Sequence, residues 1–268
     1  MIGNEKDIVS YKGAISILAS FDTIPLYKMS KVDLMNRTDI KYVFSAGRLP
    51  VILEQLAENY KVMEIFQDII FPYTTAYLDT PDDLFYHQHM KGKFGRYKIR
   101  YRKYELSGVS YLEIKKKTNK RRTEKERIVN TFIPDGFDER SSAFIKSNTP
   151  FNPELLQLKL LNSFNRTTLV NLEANERITF DFNLSFMDPR GKRVGLPFIS
   201  VAELKREGHS NQSHFISTVK KLGIRPTGFS KYCVGRQYLE SMPRYNLIKP
   251  KILLINKLEN EYNRYANA

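Results

Sequence analysis

The chain alternates polar and apolar residues over long stretches. From 37 to 44, Arg37, Asp39, Lys41 and Val43 share one face of a predicted β-strand, while Thr38, Ile40, Tyr42 and Phe44 share the other. The same period returns over 95–118. There Lys98, Arg100 and Arg102 oppose Ile99 and Tyr101, and Glu113, Lys115 and Lys117 oppose Leu112 and Ile114. A third basic strand over 121–130 aligns Thr123, Lys125, Arg127 and Val129. Further strands are predicted at 61–65, 69–79, 162–171 and 200–206, the third aligning Phe164, Arg166 and Thr168 and the last Val201, Glu203 and Lys205. The cleanest alternation covers 177–183, with Arg177, Thr179, Asp181 and Asn183 against Ile178, Phe180, Phe182 and Leu184. Helical spacing marks 49–60, with Pro50 suited to the first turn, then a short helix over 81–88. Two short helices are predicted within 136–160, split at Asn148-Thr149-Pro150, and two more over 212–222 and 230–240.

Two architectures fit seven or eight strands of this kind. One is a half-buried antiparallel sheet whose charged face is solvated. The other is a closed barrel with a charged lumen and an apolar outer wall covered by helices, which also removes the sheet edges. Charges of both signs recur at reproducible positions, and the pattern favours the barrel: an α+β fold with a polar lumen. Residues 1–30 read as a helical leader, 31–242 as the main body, and 243–268 as a basic, aromatic tail with no clear core role.

Stacked cations on adjacent strands repel unless a polyanion lies between them. The net charge of +14 over 268 residues likewise favours an anionic partner. The single cysteine, Cys233, excludes an internal disulfide framework and fits a reducing compartment. No stretch approaches the ~20 apolar residues of a membrane span, and the N-terminus lacks the pattern of a secretory signal. A cytoplasmic location is expected, with attachment to a membrane-associated partner left open. His87 and His89 read as surface residues.

Arg forks match phosphate oxygens and Lys supplies mobile charge. Among the cations stand Asp39, Glu113, Asp181 and Glu203, as ligands of a hard divalent cation or as anchors that orient the basic side chains. Lys205, two residues from Glu203, would reach the same phosphate as a metal bound there.

Eight blocks in order carry a family resemblance: Arg37-Thr38-Asp39-Ile40-Lys41-Tyr42, Tyr77-Leu78-Asp79-Thr80, Lys98-Ile99-Arg100-Tyr101-Arg102-Lys103-Tyr104, Glu113-Ile114-Lys115, Phe164-Asn165-Arg166, Arg177-Ile178-Thr179-Phe180-Asp181, Glu203-Leu204-Lys205 and Phe229-Ser230-Lys231-Tyr232. From about 24 to 238 the chain resembles the polyphosphate polymerase (VTC) domain of the triphosphate tunnel metalloenzyme, or CYTH-like, superfamily. The resemblance implies a closed eight-stranded antiparallel β-barrel that binds ATP and a growing inorganic polyphosphate chain with Mn or Mg, and no nucleic acid. It implies that Lys41, Arg100, Arg102, Lys115 and Arg166 grip phosphates at the reacting centre and that Glu203 is the metal ligand. Lys98, Lys117, Lys125, Arg177, Lys205, Ser230 and Lys231 complete the substrate-binding set, with Asp39, Glu113 and Asp181 as orienting carboxylates. Ser230 and Lys231 start a helix, where free N–H groups favour an anion and Ser230 is also a natural N-cap.

Hydrolytic members of the superfamily open with Glu-x-Glu-x-Lys, whereas this chain has Arg37-x-Asp39-x-Lys41, which favours the polymerase branch. It also carries Gly228 where eukaryotic polymerase domains have Lys. The implied reaction is γ-phosphoryl transfer from ATP to polyphosphate. A metal-dependent triphosphate or short-polyphosphate phosphohydrolase and a non-catalytic binder of polyphosphate or nucleic acid are the alternatives.

Overall fold

The computed structural model describes residues 5–31, 37–119, 122–132, 136–207 and 213–265. The side chain of Arg37, residue 121 of the predicted third basic strand and residue 212 of a predicted helix lie outside them. The alternating stretches form strands β1 (Thr23–Pro25), β2 (Arg37–Ser45), β3 (Lys61–Glu64), β4 (Phe71–Asp79), β5 (Arg96–Tyr104) and β6 (Ser110–Lys117). Then follow β7 (Thr123–Val129), β8 (Gln157–Asn171), β9 (Glu176–Met187), β10 (Arg193–Leu196) and β11 (Ile199–Glu207). The helices are α1 (Glu5–Ala19), α2 (Leu49–Leu56), α3 (Leu84–Met90), α4 (Glu139–Asn148), α5 (His214–Lys221), α6 (Lys231–Leu239) and α7 (Tyr245–Tyr265).

The strands make one sheet ordered β2-β11-β9-β8-β4-β5-β6-β7, with β10 added to β9, β3 to β8 and β1 to β3. All pairings are antiparallel except β1 with β3. The expected closed eight-stranded barrel does not form: the sheet has eleven strands, and among the described residues no ladder joins β2 to β7. The composition of β7 gives the reason. Glu124 and Glu126 occupy the face on which β6 carries Leu112 and Ile114, and every β7 residue except Ile128 is exposed. A strand that buries little beyond Ile128 stays a charged edge. At the other end, the Thr227 N–H donates to the Lys41 carbonyl at 2.7 Å, so a loop covers the edge of β2.

Register puts most of the charged positions on one face, with Lys116, Glu124, Glu126 and Arg206 on the other. Asp39 and Lys41 face Lys205 and Glu203, Asp181 faces Arg166, and Tyr73, Thr75 and Tyr77 lie between β8 and the Arg100–Arg102 side of β5. The sheet curls around that face, because one cavity is lined by residues from β5, β7, β8, β9 and β11. The apolar residues turn outward. Phe44, Leu169, Ile178, Phe180 and Leu204 pack beneath α1, α2 and α5, while Ile99, Tyr101, Leu112 and Ile114 pack beneath α4.

A third cluster lies on the inner side. The alternation of β9 breaks at Asn183, whose φ of +53° marks a bulge opposite the register shift in β8. The expectation that Leu184 lies on the outer face fails here, because the extra residue turns Leu184 and Phe186 inward. With Leu160, Val43 and Val201 they form an apolar floor on which α6 rests through Tyr232, Val234 and Leu239. Buried Asp79 fixes α6 from the side. Its carboxylate accepts from the N–H groups of Thr80, Phe85 and Tyr86 at 2.8, 2.8 and 2.9 Å and from the Tyr232 hydroxyl at 2.7 Å. Arg236 adds a two-pronged contact to Asp83, at 2.7 and 3.1 Å.

Two further expectations change. The second helix expected within 136–160 is only a short turn (Pro153–Leu155), because β8 begins at Gln157. The tail does have a core role: α7 buries Ile248, Ile255, Leu258 and Tyr262, and Arg48 pairs with Glu261. No described helix is long and apolar enough to cross a membrane.

The seat of α6 is tight enough to test. A Cβ on Gly235 would stand 2.5 Å from Phe186 and 2.8 Å from Leu160, both buried. Gly235→Ala is expected to lower stability by about 1–3 kcal/mol in urea unfolding, because overpacking outweighs the gain in helix propensity. An unchanged midpoint would contradict this packing.

Candidate functional site

The inner face concentrates charge. Lys98 on β5, Lys115 on β6 and Lys125 on β7 are direct cross-strand neighbours, as are Arg96 and Lys117 at the same end. Arg100, Arg102, Arg166 and Lys231 close the centre. Like charges at such spacing oppose folding, and the side chains show it. Burial, with Lys231, Lys205 and Lys98, pulls Lys41 down to about 8. Burial with Arg100 and Arg96 does the same to Lys98. Arg100, burial, Arg102 and Lys125 together bring Lys115 down to about 6. Burial and Arg166 lower Lys231 to about 8 despite its contact with Asp181.

Three inner-face carboxylates hold this array together. Glu113 is fully buried and accepts from Arg100 Nε at 2.7 Å; Lys125 Nζ lies 2.6 Å from its other oxygen and Arg102 3.9 Å away. Burial alone would raise Glu113, but Arg100, Arg102 and Lys125 outweigh it and hold the group well below the usual carboxylate range. Asp181 accepts from Arg166 at 2.5 and 2.8 Å and also from Lys231, which outweigh its burial in the same way. Glu203 is half-buried, pairs with Lys41 and lies 3.4 Å from Lys205 Nζ. Asp39 is exposed at the rim, opposite Lys205.

Aromatic rings back the arginines. Arg166 lies 5.3 Å from the Tyr73 ring centre and 5.4 Å from that of Phe164, and Lys231 lies 4.3 Å from Phe164. Arg127 stacks on Tyr111 at 4.7 Å. Tyr101 instead faces outward and is fully buried, its hydroxyl 2.9 Å from Ser141 Oγ.

The structure gathers Lys41, Lys98, Arg100, Arg102, Lys115, Lys125, Arg166, Arg177, Lys205 and Lys231, with Glu113, Asp181 and Glu203, on this one face. Lys117 sits at the far end of it, opposite Arg96 and Thr123. Ser230 Oγ caps α6 by accepting from the Cys233 N–H at 3.4 Å. Tyr73 could have been found from the β4 alternation that places it with Thr75 and Tyr77. Lys251 and His89 could not, since no local pattern points to them. The Nζ of Lys251, from α7, lies 3.7 Å from where a Cβ on Gly228 would stand. His87 and His89 are both half-buried rather than on the surface; α3 turns His89 toward Lys98, Arg96 and Lys251, and burial and those cations push it down to about 3.

A cavity of about 780 Å³ opens from the centre toward the β5–β6 hairpin, with Arg102, Arg166, Arg177 and Lys205 in its walls. Such a space accommodates a small polyanion along the cationic face. Among the described residues no three His, Cys, Asp or Glu side chains cluster as a metal site. Of Glu113, Asp181 and Glu203, the last is the least buried. A single carboxylate suits Mg or Mn that takes its other ligands from substrate phosphates and water.

Comparison with curated proteins gave no match. Among solved structures, the chain is similar to a proposed adenylate cyclase from Vibrio parahaemolyticus, at 12% identity and a TM-score of 0.44, over 72% of this chain and 94% of that one. It is also similar to a proposed adenylyl cyclase from Hippeastrum with a dominant triphosphatase activity, at 11% identity and a TM-score of 0.43, over 76% and 97% of the two chains. A conserved hypothetical protein from Pyrococcus furiosus matches at 12% identity and a TM-score of 0.39, over 70% and 92%. The inner-face strands from β2 to β11, together with α6, fall within residues 36–240, the stretch matched by the VTC domain model, and the chain belongs to the VTC domain family.

Proposed function

We propose that this protein is a polyphosphate polymerase that transfers the γ-phosphoryl group of ATP to the end of an inorganic polyphosphate chain. The observation that carries the reading is the inner face itself: Lys98, Lys115 and Lys125 stacked across adjacent strands beside Arg100 and Arg102, with Lys115 lowered by Arg100 and burial and Lys98 by burial and Arg100, a cost that a bound chain of phosphates would relieve. Family membership supports a phosphate-handling role. A nucleic-acid binder would carry its cations on an outer surface, whereas these turn inward.

In this reading Arg100, Arg102, Arg166, Lys41 and Lys115 align donor and acceptor phosphates in line. A terminal oxygen of the chain attacks the γ-phosphorus, the bond to the β,γ-bridging oxygen breaks, and ADP leaves with that electron pair. The attacking oxygen is already anionic, so the step needs alignment and charge stabilisation rather than a general base. Lys98, Lys117, Lys125, Arg177, Lys205 and Lys231 extend the grip along the chain, and Lys251 supplies a cation beside Gly228. Glu203 would hold the divalent ion, Mn or Mg, exchanging its contact with Lys41 for the metal, and that ion supplies charge neutralisation at the phosphate oxygens. Asp39, Glu113 and Asp181 orient the cations. Ser230 serves through its cap, which leaves other N–H groups at the start of α6 available to an anion. The catalytic domain would correspond to 31–242, with α7 as its C-terminal support, and a cytoplasmic location fits the sequence.

Purified protein given ATP and Mn is expected to yield long-chain polyphosphate with stoichiometric ADP; orthophosphate alone would instead select the phosphohydrolase. Arg102→Ala is expected to lower turnover by about 10²-fold or more while keeping the fold. Arg100→Ala should lower it similarly but also cost about 3 kcal/mol of stability, because buried Glu113 loses the guanidinium that contacts it through two nitrogens, whereas Arg102 lies 3.9 Å away. Equal stability of the two variants would refute this division.

The metal role has its own readout. Glu203→Gln should shift the Mn dependence of turnover to about tenfold higher concentration, and an unchanged titration would remove Glu203 from that role.

Bound phosphates should also raise the lysine pKa values. Lys115, at about 6, is mostly neutral at pH 7.5 and gains a proton when phosphates bind. Calorimetry of tripolyphosphate binding in buffers of different ionisation enthalpy should therefore show net proton uptake at that pH, with affinity falling as pH rises. Lys115→Met should reduce the uptake. Heats independent of the buffer would contradict the mechanism.

A further inference from the structure

The loop before β4 holds a feature that the phosphate site does not require. Ile65 and Asp68 exchange both backbone hydrogen bonds, each at 3.0 Å, around a two-residue turn. Both central residues are left-handed, with φ of +51° at Phe66 and +68° at Gln67. Turns of this form favour Asn and Gly, because a larger side chain crowds its own backbone there. Packing does not compensate for the strain, since Phe66 is 88% exposed. A strained backbone that displays an unpacked aromatic ring points to something the ring meets.

Phe66 lines the mouth of the 780 Å³ cavity. Around the same mouth stand Leu26, Leu106 and Val109, exposed by 53, 50 and 38%, and Tyr104 from the end of β5. The cavity wall also holds the half-buried cations Arg102, Arg166, Arg177 and Lys205, with Lys125 and Arg127 exposed beside them and Met29, Met63 and Phe71 buried between. The cavity therefore sets an exposed apolar, aromatic lip beside a cationic floor. Inorganic polyphosphate has no apolar part and gains nothing from such a lip. A nucleoside triphosphate has the matching gradation, with a flat heterocycle at one end and phosphates at the other.

We infer that Phe66 is a stacking platform for the base of the nucleoside triphosphate. The inference rests on the reading that the cationic floor holds phosphates. It also orients the nucleotide: the base stays at the hairpin end beside Leu106, and the γ-phosphate points inward toward Lys98 and Lys115. Every base has a π face, so stacking on Phe66 favours nucleotides over inorganic tripolyphosphate with little choice among bases.

The test compares ATP and inorganic tripolyphosphate binding in the wild type, Phe66→Gly and Phe66→Trp. Glycine removes the ring and suits the left-handed backbone, so the fold should be retained. The expected result is about tenfold weaker ATP binding in Phe66→Gly, with tripolyphosphate binding unchanged and ATP affinity kept in Phe66→Trp. An unchanged ratio of the two affinities overturns the stacking role and leaves the phosphate site standing, as does a parallel loss of both in Phe66→Gly. A lip that served a protein or membrane partner would give the unchanged ratio. Wild-type protein that binds neither ligand overturns the phosphate reading, and the base platform with it.

Discussion

Everything on the inner face depends on one electrostatic constraint: many cations held closer than they would choose, kept in place by a few carboxylates. Glu113 and Asp181 each bind cations from more than one element, Glu113 from β5 and β7 and Asp181 from β8 and α6. Each is buried, and each stays ionised because the cations around it outweigh the cost of burial. The balance is incomplete, and the depressed lysines are its remainder. A protein selected for stability alone would fill this space with apolar side chains. The retained repulsion is free energy that a polyanion can relieve on binding, which ties the strain of the fold to recognition.

The placement of α6 follows from the same sheet. Where α6 must sit, the bulge at Asn183 exchanges polar for apolar residues on the inner face, and Gly235 lets the helix approach Phe186 and Leu160. Asp79 then links α3 to α6 through backbone N–H groups and the Tyr232 hydroxyl. The result is to deliver Lys231 to Asp181 beside Arg166. A displacement of α6 would therefore disturb the centre of the cationic face even though most of the helix lies in an apolar cluster.

How much of this was legible in the sequence varied with the range of the interaction. The strict alternation from Lys98 to Lys117 determined which side chains shared a face, and the registers bear that out, because a period of two is enforced wherever one face is buried. The bulge at Asn183 was not legible: Asn183 continues the polar pattern, and only pairing with β8 shows that the face changes there. Closure failed for a related reason. The alternation in β7 looked like that of its neighbours, but its other face carries Glu124 and Glu126 where a barrel wall needs apolar residues. The spacing of Ile248, Ile255, Leu258 and Tyr262 was available as a helical stripe, but interleaved lysines and Pro250 obscured it. Lys251 and His89 reach the inner face only through tertiary packing, which no local pattern encodes.

The same charge balance bears on whether the site suits transfer or hydrolysis. Water must lose a proton to attack phosphorus, so a hydrolase benefits from an available base. Glu113 and Asp181 are engaged by guanidinium and ammonium groups, which lower their basicity. The neutral amine of Lys115 would not serve as a base beside bound phosphates, which would return it to the ammonium form. Asp39, at the rim, and Glu203 are left, and a divalent ion bound at Glu203 would draw on its lone pairs. With substrate in place the inner face thus offers many donors and few acceptors. On the proposed reading, a phosphate oxygen, which arrives ionised, would gain more from that surface than water does, and this asymmetry is the physical argument for a polyphosphate end over water as the attacking group.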